Sequence, residues 1–438
     1  MGSGITLGLV LASGLERADS ATCMSRVADD FEPLSRTARS LGWTDLMWKN
    51  ELGALRRQVL AASNKQPLIQ AHTADVLRHA IPRQTRALSA VARPNEGKRT
   101  IFSGIQPTGV PHLGNYLGAL RQWAKLQDEA SEETTLIYSL VDLHAITIRQ
   151  DPSQLRQWKK ESLAMLLAIG LDPKRSIIFH QSDVPAHAEL MWILSCQAST
   201  GYLGRMTQWK DKTANERDGS EKLKLGLFSY PVLQAADILV HRATHVPVGH
   251  DQAQHLEFSR EVANGFNHVF GGGKEILLAP ETMISPAKRV MSLTEPSSKM
   301  SKSHPNPKSR ILLTDSKEVI KSKLKAAVTD SEAGISYDPS RRPGVSNLID
   351  IIYHTMDDGI VESPEALAKS FGDGTSLRIL KDKAADGVEK ALRPIRERYQ
   401  EVIQNKKLLD DTAAEGAEKA SRSAASTMRS VRRAIGFS

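Results

Sequence analysis

From about residue 98 onward, apolar positions follow a pattern that predicts an α/β region. The apolar-rich run 134–141 is typical of a strand buried on both faces of a parallel sheet. Asp151-Pro152 then begins a helix that carries its leucines on one face and ends at Gly170. The next strand is predicted at residues 176–180. This order implies right-handed crossovers and a ligand site at the carboxyl ends of the strands.

The strand signals stop after about Ile311. Segments 317–328, 377–403 and 413–435 are predicted as helices, and in the second of them apolar residues recur at three- and four-residue steps along one face. We therefore expect three regions: an N-terminal extension (1–97), an α/β domain (98–310) and an α-helical domain (311–438).

Composition narrows the range of partners. The 438 residues carry a formal net charge of +8, which fits a polyanionic partner such as RNA. The two isolated cysteines, Cys23 and Cys196, exclude a zinc ribbon built from cysteines and argue against a disulfide framework. No apolar run approaches the roughly 20 residues that cross a bilayer, so a soluble protein is expected.

The extension contains a basic segment, residues 77–93, with four arginines and no acidic residue. This composition is typical of an organelle transit peptide, and a disordered basic tail explains it equally well. We expect import into the mitochondrial matrix with cleavage before Lys98, or otherwise a cytoplasmic protein. The acidic residues within 29–32 do not fit a transit peptide, and a translation start at Met47 is one explanation.

Residues 100–115 predict a short strand, a Gly/Pro loop and the beginning of a helix. A helix that starts this way offers unpaired N–H groups to a phosphate, and Gly104 and Gly114 leave room for a ligand beside the backbone. An ordinary βα turn is the alternative. The lysines of Lys299-Met300-Ser301-Lys302-Ser303 could clamp phosphates, and this five-residue string arises by chance with a probability of about 10⁻⁴.

Asp237 lies in the otherwise apolar stretch 230–240. A buried carboxylate needs a hydrogen-bond donor, which could be a ligand, a backbone N–H or a helix cap.

The strand-loop-helix segment 100–115, its string His112-Leu113-Gly114-Asn115 and the distant Lys299-Met300-Ser301-Lys302-Ser303 together resemble class I aminoacyl-tRNA synthetases. Segments 230–238 and 246–249 and the pair Asp251-Gln252 make the chain most similar to the tryptophanyl-tRNA synthetase family of the bacterial and mitochondrial type. The resemblance covers Lys98 to the C-terminus. It implies a Rossmann-like parallel-sheet catalytic domain followed by an α-helical tRNA-binding domain.

The resemblance also implies the reaction. Tryptophan and ATP form tryptophanyl-adenylate, which is transferred to tRNA(Trp). The implied cofactor Mg²⁺ is held mainly by the ATP phosphates, without protein metal ligands. A homodimer with no membrane association is expected.

Site residues follow position by position from the resemblance. The catalytic residues are expected to be His112, Asn115, Lys299 and Lys302. The ATP-binding residues are expected to be Gln106, Gly114, Asn115, Lys212, Gly249, His250, Asp251, Val290, Lys299, Met300, Ser301 and Lys302. The tryptophan-binding residues are expected to be Phe102, Gly104, Gln106, Gln208, Tyr230, Gln234, Asp237, Val246 and Val248, with Asp237 accepting the indole N–H. The tRNA-binding residues are expected to be Lys419, Arg422, Arg429, Arg432 and Arg433.

The chain departs from the family pattern at two positions. Gln234 stands where bacterial members often have methionine, and His250 stands where an acid is common. A tyrosyl-tRNA synthetase, a nucleotide adenylyltransferase that shares only the nucleotide site, and an RNA-binding protein derived from a synthetase that has lost catalysis are the alternatives.

Overall fold

The structure is a computed structural model, which describes residues 98–210, 224–249, 252–284, 290–302, 304–356, 360–372 and 374–437. The chain divides into two compact units, 1–93 and 94–438, and all described residues belong to the second. The basic segment 77–93 lies outside the described residues. Within the described part, no helix is both long enough and apolar enough to span a bilayer.

Five parallel strands form one sheet in the order β3-β2-β1-β4-β5. The strands are β1 (Thr100–Ile105), β2 (Thr135–Leu140), β3 (Ser176–His180), β4 (His245–Val248) and β5 (Glu281–Ile284). The chain first builds outward from β1 to β3 and then returns to add β4 on the other side of β1. The order therefore reverses between β1 and β4, where open parallel sheets bind their ligands. The expected Rossmann-like sheet is confirmed.

Helices cover both faces of the sheet and make up the chain after residue 311. In the α/β part they are α1 (Leu113–Asn115), α2 (Arg121–Glu129), α3 (Asp142–Ala145), α4 (Pro152–Ala168), α5 (Ala186–Ser195), α6 (Thr200–Arg205), α7 (Leu225–Val240) and α8 (Ala253–Phe270). A π-helical turn, Tyr116–Leu120, joins α1 to α2. The later helices are α9 (Lys317–Lys325), α10 (Pro343–Thr355), α11 (Pro364–Ser370), α12 (Leu377–Gln404) and α13 (Lys406–Ile435).

Two helices differ from their predicted bounds, and local hydrogen bonds explain both differences. Helix α9 ends at Lys325 rather than at residue 328, and Val328 N–H donates instead to Leu293 O at 2.8 Å. Helix α13 begins at Lys406, seven residues before its predicted start, because the Asn405 side chain accepts the Leu408 N–H as an N-cap. Helices α10 and α11 were not predicted.

Helix α13 packs directly on the edge strand of the sheet. A Cβ added at Gly416 would lie 1.8 Å from Ile178 O, so the helix backbone touches the backbone of β3. The buried face of α13 after Gly416 joins the same hydrophobic cluster as helix α7 and β4; its members are Ala420, Ala424, Met428 and Val431. The C-terminal helix thus supports the α/β core.

Candidate active site

A cavity of about 940 Å³ opens at the carboxyl ends of β1 and β4, where the strand order reverses. Its floor comes from the residues that end these strands, Gly104 to Gln106 and Val248 to Gly249. Helix α7 contributes Tyr230, Gln234 and Asp237 to one wall.

All residues expected to contact tryptophan line this cavity: Phe102, Gly104, Gln106, Gln208, Tyr230, Gln234, Asp237, Val246 and Val248. Among those expected to bind ATP, the lining includes Gln106, Gly114, Asn115, Gly249, Val290 and Lys299. Lys212, His250, Asp251 and Ser303 lie outside the described residues. The topology therefore brings together segments that are more than 190 residues apart in sequence, since Phe102 and Lys299 share one cavity.

Asp237 is 2% exposed and already has three protein donors. Its Oδ1 accepts from Gln181 Nε2 at 2.6 Å and from His187 Nδ1 at 2.7 Å, while Oδ2 accepts from His144 Nε2 at 2.8 Å. Burial alone would raise the pKa of Asp237, but the hydrogen bonds from His144 and His187 outweigh it and lower the pKa to about 2. The carboxylate is therefore ionised before any ligand arrives.

This network differs from the sequence-based expectation, in which the donor was the ligand. A carboxylate has about four lone-pair positions, and the three protein donors leave one of them open, on Oδ2. Asp237 lines the cavity, so this position can accept one N–H from a bound molecule.

The three donors, His144, Gln181 and His187, were not among the site residues predicted from the sequence. His144 lies in α3, directly after β2, and Gln181 follows β3 without a gap. Polar residues at the carboxyl ends of parallel strands are a recognisable signal, so both could have been found. His187 lies on α5 and had no such signal. Gln181 is oriented by its own Oε1, which accepts the Leu143 N–H at 3.1 Å.

Beside Asp237 the cavity has apolar walls, formed by Phe102, Val246 and Val248. Tyr230 closes the polar side, where its hydroxyl donates to Gln208 Oε1 at 2.7 Å. Burial raises the pKa of Tyr230 to about 12, so the phenol stays protonated. The pocket end therefore combines flat apolar surface with one ionised acceptor.

The His112 ring is not among the residues that line the cavity, and its catalytic contact stays a prediction. The ring is 3% exposed, and its Nδ1 accepts the Asn115 N–H at 3.2 Å while Asn115 Oδ1 accepts the His112 N–H at 3.1 Å. This reciprocal pair is a capping box at the start of α1. Burial, followed by the charges of Lys302, Lys299 and Arg310, lowers the pKa of His112 to about 3. His112 is thus a neutral helix cap.

The start of α1 also offers fewer unpaired N–H groups than the sequence suggested. The Leu113 N–H donates to Ile311 O at 2.8 Å, and the Asn115 N–H is held by His112. Gly114 is needed for local packing, because a Cβ there would lie 3.1 Å from the His112 ring. A Cβ at Gly104 would lie 2.8 Å from Val141 Cγ1. A side chain at either position would therefore crowd its neighbours in the protein as well as the cavity.

The two lysines of the 299–302 loop have different surroundings. Lys299 is exposed and lines the cavity. Lys302 is partly buried outside the cavity lining and donates to Gly109 O at 2.8 Å, and burial lowers its pKa to about 8. Met300 is 1% exposed within the hydrophobic core, so its side chain does not face the cavity; Ser301 is not part of the lining either. The bond to Gly109 O uses one of the three N–H donors of Lys302.

The cavity lining also includes residues that the sequence did not suggest. Tyr337, Asn347 and Asp350 contribute to it from α10 and the segment before it. Asn347 clamps the backbone of Met291, accepting its N–H at 2.9 Å and donating to its carbonyl at 3.1 Å. The helical region thereby fixes the strand-like segment that precedes Lys299.

The five basic residues of α13 expected to contact tRNA divide into a paired and an unpaired group. Lys419 donates to Pro173 O at 3.1 Å, Arg422 pairs with Glu418, and Arg432 Nε donates to Glu189 at 2.7 Å. Arg429 and Arg433 are exposed, and within the described part of the chain they have no ion-pair partner. Of the five basic residues expected to contact tRNA, Arg429 and Arg433 are therefore the two that the described part of the chain leaves available without breaking an internal contact.

The sequence of this chain matches a known protein family. The family of tRNA synthetases class I (W and Y), for tryptophan and tyrosine, matches residues 94–393. This chain belongs to that family. As a class I tRNA synthetase, it carries the cavity at the switch point of its sheet and the lysine loop on the cavity's rim.

The relatives of this class I tRNA synthetase include tryptophan enzymes. The mitochondrial tryptophan–tRNA ligase of Schizosaccharomyces pombe is 43% identical over 351 residues, which cover 77% of this chain and 95% of the relative. Tryptophanyl-tRNA synthetase from Mycoplasma pneumoniae has a TM-score of 0.69 at 31% identity, covering 78% of this chain and 98% of that one. The enzyme from Campylobacter jejuni, solved with ADP and tryptophan, has a TM-score of 0.64 at 31% identity, covering 77% and 99%.

Proposed function

We propose that this chain is a tryptophan–tRNA ligase, which activates tryptophan with ATP to tryptophanyl-adenylate and transfers it to tRNA(Trp). The observation that carries the proposal is the remaining acceptor position of Asp237 beside the apolar walls of the cavity. An indole has a flat apolar body and one N–H that can only donate. The 43% identity to a relative named tryptophan–tRNA ligase supports the same substrate.

Asp237 discriminates tryptophan from an aromatic side chain without a donor. Its charge is stabilised by His144, His187 and Gln181 in the absence of ligand, so it does not have to be desolvated when the indole binds. The indole N–H completes the acceptor capacity of Oδ2. A ligand without this N–H would leave that lone pair buried and unpaired, at a cost of about 1–3 kcal/mol.

Adenylate formation needs no protein base, because the tryptophan carboxylate is itself the nucleophile that attacks the α-phosphorus. Negative charge builds on the α-phosphoryl oxygens and on the departing pyrophosphate. Catalysis is therefore positioning plus cationic stabilisation. The exposed Lys299 on the cavity lining supports this role, and Lys302 of the same loop, which holds Gly109 O, adds a second positive charge.

The ATP substrate enters as its magnesium complex. The cavity lining that includes Lys299 also includes the side chains of Asn115 and Gln106, which suit phosphate and ribose groups. Magnesium would be held mainly by the ATP phosphates and would supply positive charge for the departing pyrophosphate.

The test is pyrophosphate exchange into ATP by the purified full chain, with tryptophan and, separately, with tyrosine. Exchange is expected with tryptophan alone. Asp237→Asn keeps Oδ1 for Gln181 and His187 but turns an N–H towards the indole, so kcat/KM for tryptophan should fall about 10- to 150-fold, equivalent to 1.5–3 kcal/mol. Exchange with tyrosine but not tryptophan would refute the proposal.

A buried carboxylate outside the cavity provides the matched control. Asp142 is 4% exposed, pairs with Lys159 at 2.6 Å and is not part of the cavity lining. Asp142→Asn should therefore lower stability without changing the preference for tryptophan over an analogue in which sulfur replaces the indole nitrogen. Wild-type enzyme should reject that analogue, and Asp237→Asn should lose most of this preference.

We place the protein in the mitochondrial matrix. The basic, acid-free segment 77–93 supports this assignment, as does the mitochondrial relative. The mature N-terminus, determined on protein from isolated mitochondria, should lie just before Lys98. A cytosolic protein that retains residues 1–90 would contradict the assignment.

The functional partner is tRNA(Trp), and the assembly is a homodimer. Arg429 and Arg433 support tRNA contact because both are exposed and uncommitted within the described part of the chain. Sedimentation of the purified protein tests the dimer, and a single species at the monomer mass across micromolar concentrations would refute it.

A further inference from the structure

The hydrogen-bond network of Asp237 continues away from the cavity. His187, which donates to Asp237 through Nδ1, faces His241 with its other nitrogen, at 3.3 Å between the two Nε2 atoms. His241 Nδ1 in turn lies 3.1 Å from Ser423 Oγ. Ser423 belongs to α13, so a continuous chain of three hydrogen bonds joins the C-terminal helix to the carboxylate at the end of the cavity.

Both histidines of this network are buried: His187 is 0% exposed and His241 is 4% exposed. Ser423, at the far end, is half-buried. The His241 ring also stacks on Phe102, at 5.8 Å between ring centroids and an interplanar angle of 19°. His241 therefore contacts two parts of the tryptophan end of the cavity, the wall and, through His187, the acceptor.

The hydrogen positions follow from the chemistry of each group. Asp237 only accepts, so His187 carries a hydrogen on Nδ1. Burial, and next the neighbouring His187, lower the pKa of His241 well below its usual value, so the His241 ring is neutral with one N–H. When that N–H points to His187, the Ser423 hydroxyl donates to His241 Nδ1. This is the arrangement that keeps all three hydrogen bonds, because His187 carries its hydrogen on Nδ1 and therefore accepts through Nε2.

We propose that His187, His241 and Ser423 are positioning residues that set indole specificity by holding Asp237 in one orientation. The proposal rests on the function proposed above. With His187 and Gln181 both on Oδ1, the acceptor position that these donors leave open is on Oδ2, and Asp237 lines the cavity. If His187 turns away, Oδ1 gains an open position and the carboxylate can rotate, so the indole N–H meets a less directed acceptor.

Ser423→Ala tests the end of the hydrogen-bond network that lies farthest from Asp237. This change removes one hydroxyl from a helix, and alanine favours the helix, so folding is expected to be preserved. The KM for tryptophan in pyrophosphate exchange should rise about 3- to 10-fold, the scale of one lost net hydrogen bond, with the KM for ATP unchanged. The preference for tryptophan over the sulfur analogue should fall by a similar factor. Ser423→Thr, which keeps the hydroxyl, should restore both values.

The matched control is Ser426→Ala, at an exposed position of the same helix. It should leave every value unchanged. His241→Phe provides a second variant, which keeps an aromatic ring against Phe102 and has no nitrogen to pair with His187; it should shift both readouts at least as far as Ser423→Ala.

The outcomes separate the inference from the proposed function. Suppose that Asp237→Asn loses the preference for tryptophan while Ser423→Ala and His241→Phe keep the wild-type KM and preference. The hydrogen bonds between His187, His241 and Ser423 would then contribute only to packing, and the inference would be wrong. A wild-type enzyme without tryptophan-dependent exchange would overturn the proposed function together with the inference.

Discussion

His112 offers the most direct test of a structural role that the sequence did not reveal. The variant His112→Asn replaces the ring by a side chain that also accepts a hydrogen bond at an N-cap. It removes the only titrating group of the capping box at the start of α1. The packing change costs a similar amount at every pH, so the pH dependence of the difference between the two proteins isolates the ionisation of His112.

The magnitude follows from the pKa of His112, which burial and three nearby cations lower from 6.5 to about 3. Between these values the unfolded chain binds a proton that the folded protein does not bind. Stability is therefore complete above pH 6.5 and is lost as the pH falls towards 3. At pH 5 the loss is about 1.5 pH units times 1.4 kcal/mol, or about 2 kcal/mol.

The assay is urea unfolding of the full chain at pH 7, 6 and 5. Wild type should lose about 2 kcal/mol more than His112→Asn between pH 7 and 5. His180 and His241, whose pKa values are also lowered by burial, affect both proteins equally. His268→Asn is the control, because its exposed ring is solvated in both states. Parallel pH curves for wild type and His112→Asn would show that His112 titrates freely and refute its role as a buried cap.

Further predictions concern the lysine loop, the tRNA surface and the C-terminal helix. Lys299→Ala should slow tryptophan activation about 10²- to 10³-fold with tryptophan affinity unchanged; Lys302→Ala should do the same and also lower the free energy of unfolding by about 1 kcal/mol, because it loses its bond to a loop carbonyl. A collapse of tryptophan binding would contradict both. Replacing Arg429 and Arg433 by alanine should weaken tRNA aminoacylation and leave tryptophan activation unchanged. The slope of log tRNA affinity against log salt concentration should fall in magnitude by about 1.5–2. Equal loss of both activities would argue against tRNA contact. Gly416→Ala should destabilise the protein by about 1–3 kcal/mol in thermal unfolding, because the helix must move off β3; an unchanged midpoint would be inconsistent with that packing.

Local sequence determined much of the scaffold of this protein. The strand at residues 176–180 has its predicted bounds, and the apolar run 134–141 contains β2. Helix α4 begins after the Asp151 cap, and the chain leaves it through Gly170, whose φ is 106°. These features depend on side-chain periodicity and on backbone preferences of single residues, which act over a few positions.

Local sequence patterns also predict where the cavity lies, but they do not predict how its side chains are oriented. Glycine and polar residues at the ends of β1 and β4 are recognisable because parallel strands present their carboxyl ends at one edge. His144 and Gln181 carry the same signal after β2 and β3. The lysine loop was found by its motif alone, and the motif did not reveal that Lys302 is turned towards the Gly109 carbonyl.

Only the tertiary structure decided how Asp237 is satisfied and what supports it. Its donors His144, Gln181 and His187 are 93, 56 and 50 residues away, and which of them meets it depends on how three strands and two helices are placed. Ser423 reaches the same network from 182 residues beyond His241, because Gly416 lets α13 lie on the β3 backbone. A buried charge requires donors, so the sequence could predict that partners exist. Their identity is set by long-range packing, which no local pattern encodes.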